Sequence, residues 1–201
     1  KKPARQQPSR RPGGHSGATR PTQSQDVSGS TTSPQTTLPA VSPERANLLN
    51  LVAKPFGVVD KVSRNTTPQQ VRDAVSQKLG LELNECGNMY YLNSDIKHNL
   101  CGLPVRWEQV YFSHGKLLNY KYETTVLKSN TSKEEMINTA WRMAAMLGLV
   151  EKPSGSYFSG SDYITYFEKE ANPLIVIRLD ESMTNAEKDS YRIVLEIWYR
   201  R

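Results

Sequence analysis

The sequence predicts an α+β protein: two tandem αβββ units, with helices packed on one face of antiparallel strands, behind a disordered arm. Three observations predict it. A capped helix closing on Leu79-Gly80-Leu81, then the aromatic run Tyr90-Tyr91-Leu92-Asn93-Ser94-Asp95, returns as Leu147-Gly148-Leu149 and Tyr157-Phe158-Ser159-Gly160-Ser161-Asp162, 68 and 67 residues on. Repetition of a whole helix-then-strand pattern marks a tandem duplication. The stretches after each helix change to period two, the mark of strands. Finally, composition breaks sharply near residue 45, so the expected organisation is an arm over 1–45 and units over 46–130 and 131–201.

The arm comes first. It carries Lys1, Lys2, Arg5, Arg10, Arg11, Arg20 and Arg45 against Asp26 and Glu44 alone, a surplus of five in a chain whose net charge is +6. Seven of the 12 prolines lie there among Ser, Thr, Gln and Gly. Such a segment buries too little apolar surface to offset the entropy of ordering it, so disorder is expected. The rest of the chain is close to electroneutral and long enough for one ordinary core or two small ones. No run approaches the roughly 20 apolar residues of a membrane-spanning helix. A Lys- and Pro-rich start leading through a polar tether to a folded region suggests a processed, exported chain, periplasmic or secreted.

Residues 46–62 suggest a short helix or strand leading into the domain. Thr67-Pro68-Gln69-Gln70 then has a hydroxyl cap, proline at the first helical position and glutamine at the third, a capping-box start. Val71, Ala74, Val75 and Leu79 follow at helical spacing before Gly80. Ser132 and Glu135 open a second helix with Met136, Ala140, Met143, Ala144 and Leu147 along one stripe, which Trp141 and Ala145 are expected to broaden. Between the helices, Val105, Trp107 and Gln109 alternate with Arg106, Glu108 and Val110, and Ser113-His114-Gly115-Lys116 turns the chain into Leu118, Tyr120 and Tyr122, a β-hairpin. Strands are expected again at 163–167, 174–179 and 191–199. Leu174-Ile175-Val176-Ile177, apolar on both faces, is expected at the centre, after a turn at Asn172-Pro173.

This order, a capped helix ending in Leu-Gly, an aromatic strand, then a Trp- and Tyr-bearing hairpin turning at Gly115-Lys116, resembles the αβββ modules of two extracytoplasmic groups over Thr66 to Tyr199. One is the beta-lactamase inhibitor protein, a tandem of such modules. The other is the BamE family of outer-membrane assembly lipoproteins. The style is also similar to exported proteins of Bacteroidetes. The resemblance implies the fold and a non-enzymatic binding module whose sheet binds another protein. It supplies no individual functional residue. The chain departs from it in lacking a lipid-bearing cysteine at position 1 and a cysteine pair in the second half.

Candidate chemistry is sparse. Cys86 and Cys101, the only two cysteines, flank the Tyr90 strand and are expected to pair in an oxidising compartment, a closure worth about 3 kcal/mol. Reduced thiols are the alternative. Cys86, His98, Cys101 and His114 lack the close paired spacing of a structural zinc site, so no metal or cofactor is expected. A Cys101 nucleophile with His98 or His114 would need an orienting group and an oxyanion site that nothing marks. Asp95 and Asp162, matched in the two halves, read as turn formers. No phosphate loop, dinucleotide fingerprint or metalloprotease helix occurs.

The aromatics carry the functional expectation. On an antiparallel sheet alternate positions face opposite ways, so some must line the face away from the helices. Tyr91, Trp107, Tyr111, Tyr120, Tyr122, Tyr166 and Trp198 are the candidate binding residues, because Tyr and Trp cover area at low entropic cost and keep a polar tip. The expected partner is another protein or a cell-envelope component, with a glycan as the alternative ligand. A different class of function, nucleic-acid or capsid-type binding, would use the basic residues within 1–20.

Overall fold

The computed structural model describes residues 41–93, 98–151, 164–167, 172–181 and 189–199. Residues 1–40 of the expected arm, Asp95, Tyr157, Asp162 and Tyr163 lie outside them, while the last three residues of that arm, 43–45, begin a helix. The described residues begin with a helix, α1 (Pro43–Ala53), where the sequence left helix and strand open. Ser42 caps it, its hydroxyl accepting from Arg45 N, with proline at the first position. A single 3-10 turn at Pro55–Gly57 follows, then α2 (Pro68–Leu79).

Both capping boxes form. Thr67 and Gln70 bond each other's backbone groups at the start of α2, and Ser132 and Glu135 do so at the start of α3 (Lys133–Leu147). Gly80 and Gly148 end the two helices at φ of 66° and 71°. That left-handed conformation strains any residue with a Cβ.

The strands are β1 (Asn84–Cys86), β2 (Met89–Asn93), β3 (Asn99–Leu100), β4 (Leu103–Pro104), β5 (Trp107–Ser113), β6 (Lys116–Leu127), β7 (Val150–Glu151), β8 (Ile164–Phe167), β9 (Leu174–Glu181) and β10 (Ser190–Trp198). β3 and β4 make a separate small hairpin, and the others form one antiparallel sheet in the order β1-β2-β5-β6-β10-β9-β8-β7. Each helix α2 and α3 is thus followed by four strands of the main sheet that run as a meander, one more than the αβββ pattern expects. The added strands, β1 and β7, are three and two residues long. The meanders join through their last strands, β6 against β10, and Ala40–Arg201 is one compact unit. β9 lies between β10 and β8, the central place expected for the Leu174 run.

Hairpin β5–β6 turns on His114 and Gly115, both at positive φ, a conformation whose twist matches that of the strands it joins. A bulge between Tyr111 and Phe112 shifts the register, so that Phe112 pairs Leu117 while Tyr111 pairs Asn119. Leu117, in place of the expected Leu118, therefore joins Tyr120 and Tyr122 in the core.

One face of the sheet is apolar and carries the helices. Tyr90, Leu92, Val110, Phe112, Leu117, Ile177, Leu179, Ile193, Leu195 and Ile197 form the core with Leu48 and Leu51 of α1, Val71 and Val75 of α2, and Met136, Ala140, Met143 and Ala144 of α3. α3 lies across β8, β9 and β10. Trp141 does not widen its buried stripe: it is 60% exposed, and Ala145 is exposed too. The buried set recurs every three or four residues, and position 141 falls about 100° around the helix from Ala140.

Candidate functional site

The face without helices is set by the same alternation. In β5, Trp107, Gln109 and Tyr111 stand opposite Glu123, Lys121 and Asn119 of β6. Those in turn stand opposite Val194, Glu196 and Trp198 of β10. Arg178 of β9 pairs Val194, and Asp180 pairs Arg192. On the far side, Tyr91 and Asn93 of β2 face Gln109 and Trp107. All these side chains share one surface, because every step across a ladder keeps the face.

Aromatic side chains occupy one end. The rings of Tyr91 and Trp107 stack at 4.4 Å between centroids and 15° between planes. Trp107 Nε1 donates to Gln109 Oε1 at 2.8 Å, which fixes the indole. Tyr111 is half-buried beside them. Trp198 lies on the same face and donates from Nε1 to Glu196 Oε2 at 3.0 Å.

Charges occupy the centre and are matched. Arg192 reaches both oxygens of Asp180 at 2.7 Å, Arg178 Nη2 meets Glu196 Oε1 at 2.7 Å, and Lys121 pairs with Glu123. Contacts of 3.9 Å from Arg192 to Glu123 and from Arg178 to Asp180 tie the pairs together. The acids are the deeper partners: Asp180 is 2% and Glu196 7% exposed, against 17% and 19% for Arg178 and Arg192. Val194, fully buried, has Arg192 and Glu196 two places away on its own strand and Glu123 and Arg178 across from it.

Of the seven expected binding residues, Tyr91, Trp107, Tyr111 and Trp198 lie together on this surface. Tyr166 belongs to β8, opposite Ile177, and its side chain lies outside the described set. Tyr120 and Tyr122 are corrected: both are 1% exposed and point under the helices. Tyr122 Oη donates to Leu51 O at 3.2 Å and Lys54 O at 2.7 Å, and Tyr120 Oη donates to Val52 O. They satisfy Leu51 O and Val52 O, which α1 leaves open at its C-terminus, and add to the bond that Lys54 O takes from Gly57 N. Burial pushes both phenols above the ordinary tyrosine range.

The Cys86–Cys101 disulfide is also corrected. Both thiols are free. Cys86 is exposed at the end of the edge strand β1, whereas Cys101 is buried in the β3–β4 turn, so the two do not meet. Burial raises the Cys101 thiol above its usual range, and Glu44 adds to that. It is a poor nucleophile as placed. His98 turns instead to Glu108, its Nδ1 lying 2.6 Å from Oε1, and His114 sits exposed in the hairpin turn. Among the described residues no three His, Cys, Asp or Glu side chains gather as a metal site would require.

Glu108 and the matched charges of β9 and β10 are what sequence reasoning missed. Glu108 alternates in step with Val110 and Phe112, which places a carboxyl on the apolar face. That mismatch was visible in the sequence. The partners of Arg178 and Arg192 were not, because they depend on strand register.

Fold and surface together define an α+β protein with an eight-stranded antiparallel sheet, helices on one side and an aromatic and charged face on the other. No protein-family model matches the sequence, and neither a curated protein nor a solved structure matches the chain. No helix among the described residues is long and apolar enough to cross a membrane.

Proposed function

We propose that this chain is a non-enzymatic binding module that grips another protein through the helix-free face, working outside the cytoplasm. The stacked, half-exposed Tyr91–Trp107 pair carries the reading. Its rings offer a large contact area that loses little conformational freedom on binding. A protein partner suits it better than a glycan, since each ring already spends one face on the other. The central charges support the same reading, being arranged before any partner arrives.

The halves read as a duplicated unit, as in the tandem modules of the beta-lactamase inhibitor protein. Matching capping boxes, matching glycine stops and two meanders meeting at their last strands support this. The extracytoplasmic setting rests on the composition of the leader alone, now that the thiols are unpaired.

Affinity capture with the full chain, from envelope and cytosolic fractions, tests the proposal. The variants are Trp107→Ala with Tyr111→Ala, and deletion of residues 1–40. Loss of a captured protein with the first variant, its melting transition retained and the arm dispensable, is the expected result. Loss on arm deletion instead, steeply dependent on salt, would establish the nucleic-acid reading in its place.

A further inference from the structure

On the helix-covered side, one carboxyl stands where the strand pattern calls for an apolar residue. Glu108 is 1% exposed, and its only described partner is the imidazole of His98. Oε1 lies 2.6 Å from His98 Nδ1, while Oε2 is buried with no hydrogen-bond partner among the described residues. The other edge of the imidazole lies against the 3-10 turn, so close that a Cβ added at Gly57 would sit 2.9 Å from Nε2. The His98 carbonyl accepts from Val105 N at 2.9 Å, which ties the same residue to the exit of the β3–β4 hairpin.

We propose that His98 and Glu108 form a proton-linked latch, pinning the Pro55–Gly57 turn and the β3–β4 hairpin to β5. A buried carboxyl met by a partly buried imidazole, 22% exposed, keeps one labile proton on the pair, as imidazolium with carboxylate or as imidazole with carboxylic acid. Release of that proton to solvent leaves a negative charge on Glu108, half of it on an oxygen with nothing to bond. An unmatched buried charge is strongly unfavourable. The contact then opens to admit water.

Among the described residues the surroundings supply no substitute cation. Tyr122, opposite Glu108 on β6, keeps its phenolic proton well above the ordinary range because it is buried. Leu92, opposite on β2, does not titrate. On the α1 side, Asn50 is neutral, and Lys54 pairs with Asp60 at 2.7 Å. Glu44 acts on Cys101 and Arg45 bonds Met146 O, both away from the pair. Burial raises the Glu108 carboxyl above the usual carboxylate range, and the His98 hydrogen bond draws it back, as expected for a carboxylate whose only relief is the imidazole.

The sign follows from proton counting. With the latch open, the imidazole gives up its proton as pH rises past about 6.5, while the closed pair keeps one. Closure is therefore most favoured between the ordinary carboxylate range, below which the open state takes up a second proton, and that pH, and it is lost as pH climbs above it.

Two measurements on the full chain test this. In carbon-13-labelled wild type, the Glu108 carboxyl is expected to titrate above the range of a surface glutamate. Independent titration of Glu108 at the midpoint of a surface glutamate overturns the latch. In amide exchange corrected for intrinsic rate, protection at Val105 is expected to fall by up to about tenfold per pH unit above the imidazole range, the limit for one linked proton. Glu108→Gln, uncharged and of the same shape, is expected to abolish that slope. The same slope in Glu108→Gln as in wild type also overturns the proposal.

Discussion

Tyr122→Phe isolates the contact that holds α1 to the sheet. The substitution removes one oxygen from a fully buried site and leaves the ring, so packing is conserved and no cavity opens. Two hydrogen bonds vanish, those to Leu51 O at 3.2 Å and Lys54 O at 2.7 Å. Leu51 O belongs to the last turn of α1, and Pro55, four positions on, has no amide that could replace the hydroxyl. Leaving the buried Leu51 O unsatisfied costs about 1–3 kcal/mol, while Lys54 O keeps the bond it takes from Gly57 N at 2.8 Å. For a domain of this size, that corresponds to a drop in Tm of roughly 3–10 °C. Calorimetry measures it, with Tyr111→Phe as the control on the opposite face. A Tyr122→Phe transition within a degree of wild type would refute the assignment of Tyr122 as the cap of α1. Combined with Tyr120→Phe, the loss should fall short of the sum, because both phenols serve the same helix end.

Three further outcomes follow from placement. Asp180→Asn removes the carboxylate that Arg192 grips with two bonds, and urea denaturation should show a loss of roughly 3 kcal/mol or more; a loss under about 1 kcal/mol would mean that the pair is no better than a surface one. Cys86 should react at once with a thiol reagent in the native protein and Cys101 only on unfolding, with Tm the same in oxidant and reductant; a melting shift on reduction would restore the disulfide. Trp141→Ser should change stability by no more than about 0.5 kcal/mol, whereas Met143→Ala, two positions on and buried, should cost about 2–5 kcal/mol in the same denaturation series.

What could be read from the sequence was local. The boxes at Thr67–Gln70 and Ser132–Glu135 involve groups three residues apart, so the side chains that write the signal also make the bonds. The turn at His114–Gly115 is likewise specified by its own two residues. β1 and β7 escaped because Asn84-Glu85-Cys86 and Val150-Glu151 are too short to show a period, and only pairing makes them strands. The alternation that set Tyr120 and Tyr122 on one face was legible. Which face the helices would cover was not, since that is decided by where α1 ends, more than 60 residues away in sequence. Proximity of Cys86 to Cys101 had the same long-range character.

On the proposed function, the charged centre and the aromatic end of the helix-free face have different consequences for binding. Asp180 and Glu196 lie beneath the guanidinium groups of Arg192 and Arg178, so their desolvation is met by folding and not by association. A partner arriving there finds charges already in place and loses little side-chain freedom in fixing them. It must also leave the pairs intact, since separating them would strand buried carboxylates. If the proposed reading holds, the centre of the face restricts which partners fit, while the Tyr91–Trp107 end supplies the contact area that affinity draws on. On this reasoning Asp180→Asn and Trp107→Ala separate cleanly: the first lowers stability before it touches affinity, and the second lowers affinity with the fold unchanged. A Trp107→Ala protein that unfolds as readily as Asp180→Asn would place the indole in the structural network, and the binding surface would have to be sought elsewhere.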